Sequence, residues 1–197
     1  FYNDWYRPDL QAIIVVGDFN QEEMVKQVKE TFSKIPAKEN PRSKELFDIP
    51  EHKDTKIAII TDKEARYPIA QVFYKHPLKT AKTIGDYREM LVESLYNGMI
   101  NIRLNELTQT ENPPFIYGGS SFSELFGPKS VYSSVAVCQI GKIEEGIKAV
   151  LTENERVKQF GFTASELERQ KATMLKSIEK AYNEREKQQS INYAEEY

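Results

Sequence analysis

The sequence predicts an α+β fold: a largely antiparallel sheet with helices packed on one face, in the order β-α-β-β-α-β-β-α-α. Three observations predict it. Short apolar runs of strand length alternate with longer segments that repeat apolar residues at helical spacing. Two of the strand-like runs follow each other directly, with Asn112-Pro113-Pro114 before the first and Phe126-Gly127-Pro128 between them, which reads as a hairpin. Hairpins mixed with helices point to helices layered on an antiparallel sheet.

The elements follow in order. Residues 10–16 are almost continuously apolar, as in a strand buried on both faces. Gly17-Asp18-Phe19 then turns the chain into a helix. Asn20 suits its N-cap, and Glu23 three residues on completes a capping-box-like pair. Met24, Val25, Val28 and Phe32 share one face of that helix, and Ile35-Pro36 ends it. Residues 37–54 are polar and punctuated by proline, which makes them a surface crossing. Residues 56–61 read as a second strand and 69–74 as a third, joined by the charged loop Asp62-Lys63-Glu64-Ala65-Arg66. A long helix runs from about residue 83 to 107, with Tyr87, Met90, Leu91, Ser94, Leu95, Gly98 and Ile102 as its inward stripe. The hairpin strands are 115–122 and 131–140. A helix over 143–160 carries Ile147, Val150, Leu151 and Val157 on one face, and Gly161 stops it. Thr163 and Glu166 form a capping box, its cap worth about 1 kcal/mol. It opens a last long helix bearing Leu167, Met174, Ile178 and Tyr182.

Composition narrows the function. The 197 residues suffice for one large domain with a buried core. A hydrophobic share of 40% with 29% charged residues is ordinary for a soluble globular protein. With a net charge of -3 and acidic and basic residues interleaved, nothing draws the chain to nucleic acid. No apolar run approaches the roughly 18 residues that span a bilayer. Cys138 is the single cysteine, so no internal disulfide is possible and the compartment stays open, periplasm or cytoplasm alike. The opening Phe1-Tyr2-Asn3-Asp4-Trp5-Tyr6-Arg7-Pro8 reads as a helix tail and turn from a preceding domain. The expected organisation is a joint over 1–9, one domain over 10–188, and a link to a further domain over 189–197.

Catalytic constellations are sparse. Zinc takes three or four ligands at close spacing, and the two histidines, His52 and His76, have no second His or Cys one helical turn away. Cys138 sits in the apolar run Val135-Ala136-Val137-Cys138-Gln139-Ile140, where a buried, inert thiol is expected. Ser120, Ser121 and Ser123 have no nearby His to act as base. Gly17-Asp18 between strand and helix is no phosphate loop, since one glycine makes no nest and Asp18 repels phosphate. Neighbouring glutamates such as Glu22-Glu23 and Glu144-Glu145 point in different directions along a helix and read as solvated charge. The aromatic, glycine-containing stretch Phe115-Ile116-Tyr117-Gly118-Gly119 could present backbone groups to an extended peptide. In the plainer reading Arg103 favours the helix end and Tyr117 packs.

Taken together, several segments resemble a known family. They are Trp5-Tyr6-Arg7-Pro8, Ile14-Val15-Val16-Gly17-Asp18-Phe19, Phe32-Ser33-Lys34-Ile35-Pro36, Thr61-Asp62-Lys63-Glu64-Ala65, Tyr74-Lys75-His76-Pro77, Ile102-Arg103-Leu104 and Gly161-Phe162-Thr163 with Glu166-Leu167. In this order, across nearly the whole chain, they resemble the second, non-metal domain of pitrilysin-type zinc metallopeptidases, the group of insulysin and the mitochondrial processing peptidase. The wording is most similar to the long bacterial members, which carry four such domains.

The resemblance implies a parent zinc metalloendopeptidase whose His-x-x-Glu-His motif lies in the preceding domain. There the two His and a distant Glu bind zinc and the middle Glu activates water. No such motif occurs in this chain, so no catalytic or metal residue carries over, and the chain is expected to be inactive alone. Related domains supply an Arg and a Tyr that hold substrate. On the alignment at Arg103-Leu104 the Arg place falls on Thr108 and the Tyr place on Tyr117, leaving Tyr117 as the single candidate substrate contact. The implied partners are the catalytic domain, later domains of the same polypeptide and a peptide substrate. Two further readings are a scaffold subunit of the same family and a module that binds peptide by itself.

Overall fold

The computed structural model describes residues 1–45, 47–125 and 127–196. It divides into two compact units, one of residues 1–45 with 178–197 and one of residues 46–177. Phe126, in the expected hairpin loop, lies outside the described residues.

The first unit opens with α1 (Tyr2–Trp5) and a 3-10 turn (Pro8–Leu10), followed by α2 (Gln21–Phe32). Tyr2 stacks on Tyr6 at 4.8 Å, Arg42 lies 5.3 Å over the Trp5 ring, and Lys38 pairs with Asp4 at 2.7 Å. The aromatic turn is thereby pinned by the polar stretch that follows α2. Asn20 caps α2 as expected, its side chain accepting from the N–H groups of Glu22 and Glu23. The C-terminal part of the unit holds the end of α5 (Ala164–Asn183), a 3-10 turn (Arg185–Lys187) and α6 (Ser190–Glu196).

The second unit carries a three-stranded antiparallel sheet. Its strands are β1 (Ile69–Pro77), β2 (Tyr117–Glu124) and β3 (Lys129–Val137), in spatial order β1-β3-β2. The register pairs Ile69 with Val137 and Tyr117 with Val137, so β3 is central and every pairing is antiparallel. Helix α3 (Ile84–Leu107) runs beside β2, α4 (Ile143–Phe160) crosses the sheet, and α5 follows after the bend at Gly161. Tyr74, Phe122, Tyr132, Ser134 and Ala136 lie on the helix-bearing face, while Tyr117, Gly119 and Val131 lie on the other, as the period of two requires. The α+β class is as expected.

Two of the five expected strands do not join this sheet. Residues 11–16 and 56–61 are irregular, and Ile57, Ile59 and Ile60 are 82%, 86% and 92% exposed. A strand exists only where a partner completes its ladder, and an apolar run fixes no partner. The run that begins at Ile69 gains one because its register with β3 places Val72 and Tyr74 on the helix-bearing face.

The helix ends follow local chemistry closely. Thr83 and Asp86 form a reciprocal capping box at α3, and Gly161 ends α4 at a φ of 69°, a left-handed angle that favours glycine. Thr163 and Glu166 exchange the expected bonds at α5, with Thr163 N–H donating to Glu166 Oε2 at 2.7 Å and Glu166 N–H to Thr163 Oγ1 at 3.3 Å. The inward stripe of α3 differs from expectation. Met99, Ile100 and Leu104 are buried, whereas Tyr87, Met90 and Ile102 are about half exposed. Apolar residues surround this helix, so its periodicity does not single out one face; the approach of β2 and α4 does. The core joins Ile100, Leu104, Phe115, Ala136, Cys138, Val150 and Val157, each large side chain contributing about 1.5–3 kcal/mol on burial.

Candidate functional site

The glycine pair of β2 explains the strand that drew attention in the sequence. A Cβ on Gly118 would sit 2.6 Å from the Phe115 ring, and one on Gly119 would sit 2.7 Å from the Tyr117 hydroxyl. The two glycines therefore admit one aromatic ring on each face of the strand. Phe115 is fully buried in the core, while Tyr117 lies over Gly119 on the open face and is 56% exposed. Thr108, the other aligned position, is the C-cap of α3, with its hydroxyl donating to Asn105 O at 2.7 Å. No hydrogen bond joins Thr108 to Tyr117 among the described residues.

Arg103 has a definite place of its own. Its Nε and Nη2 donate to the two oxygens of Glu166 at 2.6 and 2.8 Å, and Nη1 donates to Glu153 at 3.1 Å. A further bond from Nη2 reaches the Gly161 carbonyl at 3.3 Å, and the guanidinium lies 4.9 Å over the Phe162 ring. This one side chain ties α3 to α4 and α5. The planar fork suits a carboxylate in a way that lysine cannot match. The Arg103 bonds hold the Glu166 carboxyl at about 2, well below the usual carboxylate range. The same bonds raise the Arg103 guanidinium further above its already high value. Arg103 is thus a structural clamp. Glu153 was not singled out in the sequence, although a charged residue on the apolar face of a helix is a readable signal.

An open cleft of about 720 Å³ lies on the helix-bearing face. Aromatic rings from Tyr74, Tyr96, Phe122 and Tyr132 line it, with His76, and α4 contributes Leu151 and Asn154. Its floor is a hydrogen-bond chain. The Tyr96 and Tyr132 hydroxyls lie 2.9 Å apart, Tyr132 donates to Asn154 at 3.1 Å, Asn154 donates to Ser134 at 2.7 Å, and Ser134 meets Ser120 at 3.0 Å. Burial, then the Tyr96 bond, pushes the Tyr132 phenol well above its ordinary range, so it stays protonated. Ser120 and Ser134 are buried and face each other, and among the described residues no imidazole hydrogen-bonds to either hydroxyl. The cleft offers stacking faces and neutral polar groups, with His76, Glu155 and Lys158 also in its lining.

The candidate metal and thiol residues are dispersed. His52 bonds through Nδ1 with the Asp54 carbonyl at 2.8 Å, and the His76 ring lies 6.0 Å from that of Phe122. Cys138 is fully buried where α4 meets the sheet, so close that a Cβ on Gly146 would sit 2.2 Å from its sulfur. Burial pushes its thiol up. Among the described residues no three His, Cys, Asp or Glu side chains are grouped to hold a metal ion. No described helix is long and apolar enough to cross a membrane.

Helices layered on an antiparallel sheet define a domain of α+β class. Residues 1–174 match the peptidase M16 inactive domain, and the chain belongs to that family. It is 29% identical over 198 residues to a zinc protease PQQL-like of Arabidopsis thaliana, covering all of this chain and 18% of that protein. The fold is similar to the periplasmic protease PqqL from Escherichia coli, with a TM-score of 0.81, 23% identity, and coverage of 98% of this chain and 21% of that one. The crystal structure of the first half of the same protease matches with a TM-score of 0.75 and 24% identity, covering 98% of this chain and 42% of that one. The chain spans about a fifth of the full-length relatives it matches.

Proposed function

We propose that this chain is the non-catalytic domain of a PqqL-like zinc metalloendopeptidase. In this reading it packs on a zinc-bearing domain that precedes it and forms part of the wall of a chamber in which peptides are hydrolysed. One observation carries the reading: similarity to a zinc protease extends along the whole chain, while the chain itself has no His-x-x-Glu-His. The zinc and its activated water belong to the other domain. This chain contributes shape, through a sheet held rigid by the Arg103 clamp and the glycine-aromatic packing of β2. Coverage of 42% of the first half of the Escherichia coli protease leaves room there for a second domain of similar size.

Tyr117 is the residue proposed to meet substrate, at the periphery, because it is exposed and lacks the arginine that accompanies it in related domains. The same reading takes 10–188 as the folded domain, with 1–9 and 189–197 as its joints to neighbours. The solved relative is periplasmic, and a lone buried thiol is compatible with that compartment.

The test pairs metal analysis with a peptidase assay on the 197-residue chain and on the longer protein that contains it. The longer protein is expected to hold zinc and cleave peptides in a chelator-sensitive way, and the chain alone to do neither. Chelator-sensitive proteolysis by the purified chain would sink the proposal. A longer protein without zinc or peptidase activity would favour a scaffold subunit.

A further inference from the structure

Strand β2 lies at the margin of the sheet, and its outward backbone groups face α3. Leu125 N–H donates to Lys129 O, so the register places the β3-directed bonds of β2 at Ser123, Ser121 and Gly119. Ser120 and Phe122 point their N–H and C=O away from the sheet. Such groups form a template for another strand. Here two asparagines of α3 meet them. Asn101 accepts from Ser120 N–H at 3.1 Å and donates to Ser120 O at 2.8 Å. Asn97 accepts from Phe122 N–H at 2.9 Å and donates to Phe122 O at 3.1 Å. Asn101 also donates to Asn97 O at 2.7 Å, which ties the two together.

The geometry has a simple origin. Four residues of α-helix advance about 6 Å, and two residues of strand advance about 6.6 Å. Side chains four apart on a helix that lies along a strand therefore fall in step with alternate strand residues. An asparagine amide carries one acceptor and a donor side by side, as the backbone of a partner strand does. We infer that Asn97 and Asn101 act as a surrogate fourth strand that closes β2 to strand addition, whether by a second copy of this chain or by an extended peptide. An extended peptide is thereby kept off the β2 edge, the place where the glycine-containing sequence had suggested one.

Hydrogen exchange on the unmodified 197-residue chain tests this without a variant. The amides of Ser120 and Phe122 should be protected to about the same degree as those of Ser121 and Ser123; exchange at the rate of unbonded amides would overturn the inference. The paired change N97L/N101L should then speed exchange at Ser120 and Phe122 at least about tenfold, leave Ser121 and Ser123 protected, and raise the sedimenting mass toward that of a dimer. A folded variant that keeps all four amides protected and remains monomeric would equally overturn it.

Discussion

Replacing Arg103 by methionine probes the clamp between α3, α4 and α5. The change keeps most of the side chain's bulk over Phe162 and removes the charge and all four donated bonds. Two carboxylates lose their main partner. Glu153, 8% exposed, keeps Arg156 at 3.5 Å, and Glu166, 16% exposed, keeps its Thr163 bonds. Removing one member of a buried ion pair costs about 3–5 kcal/mol, and the residual partners reduce this to about 2–4 kcal/mol. For a chain of this size the melting temperature should fall by roughly 5–15 °C. The pH dependence is the sharper signature. The Glu166 carboxyl is lowered from 4.5 to about 2 in the folded chain. A lowered carboxyl stabilises fully above 4.5, and that contribution is lost as pH falls through about 2. The drop corresponds to roughly 3 kcal/mol at most, and partial solvent access brings it to about 2 kcal/mol. Without Arg103 this contribution shrinks, so the gap between parent and R103M should stay level from pH 7 to about 5 and narrow as pH falls from there toward about 2. Urea unfolding across that range measures it. A gap below about 1 kcal/mol at pH 7, or one that stays constant with pH, would refute the clamp.

Other predictions concern packing and the proposed substrate contact. G118A should destabilise by about 1–3 kcal/mol, because its methyl would lie 2.6 Å from the buried Phe115 ring; a urea midpoint equal to the parent's would contradict that packing. Cys138 should resist a thiol reagent in the native chain and react only on unfolding, given full burial and a raised thiol; rapid labelling would show that α4 lifts from the sheet. In the longer protein, Y117F should change peptide cleavage less than tenfold, since Tyr117 lies exposed on the open face of the sheet. A loss of about a hundredfold in kcat, roughly 3 kcal/mol, would mean that this hydroxyl holds the substrate.

The local features of the fold were legible because their causes are local. Asn20, Thr83, Gly161 and the Thr163–Glu166 pair mark helix ends through bonds that reach no further than four residues. The break at Asn112-Pro113-Pro114 and the paired apolar runs announced the hairpin of β2 and β3. What misled was the assumption that an apolar run is a strand: residues 56–61 and 69–74 read alike, and only the second has a ladder in the described residues. Helix α3 misled for a related reason, since its apolar residues encircle it and Met99, Ile100 and Leu104 are chosen by what approaches.

By itself, then, the sequence determined the helix ends at Asn20, Thr83, Gly161 and Thr163, the α+β class, the lack of a His-x-x-Glu-His motif and, through its short recurring segments, the family. Tertiary structure alone decided the rest. Arg103 finds carboxylates 50 and 63 residues away, Asn97 and Asn101 meet backbone groups 25 and 19 residues away, and the β2 glycines make room for two rings on opposite faces. None of these has a local cause. Each partner is chosen when the helices close on the sheet, and only then do a cation, two amides and a missing Cβ acquire their roles.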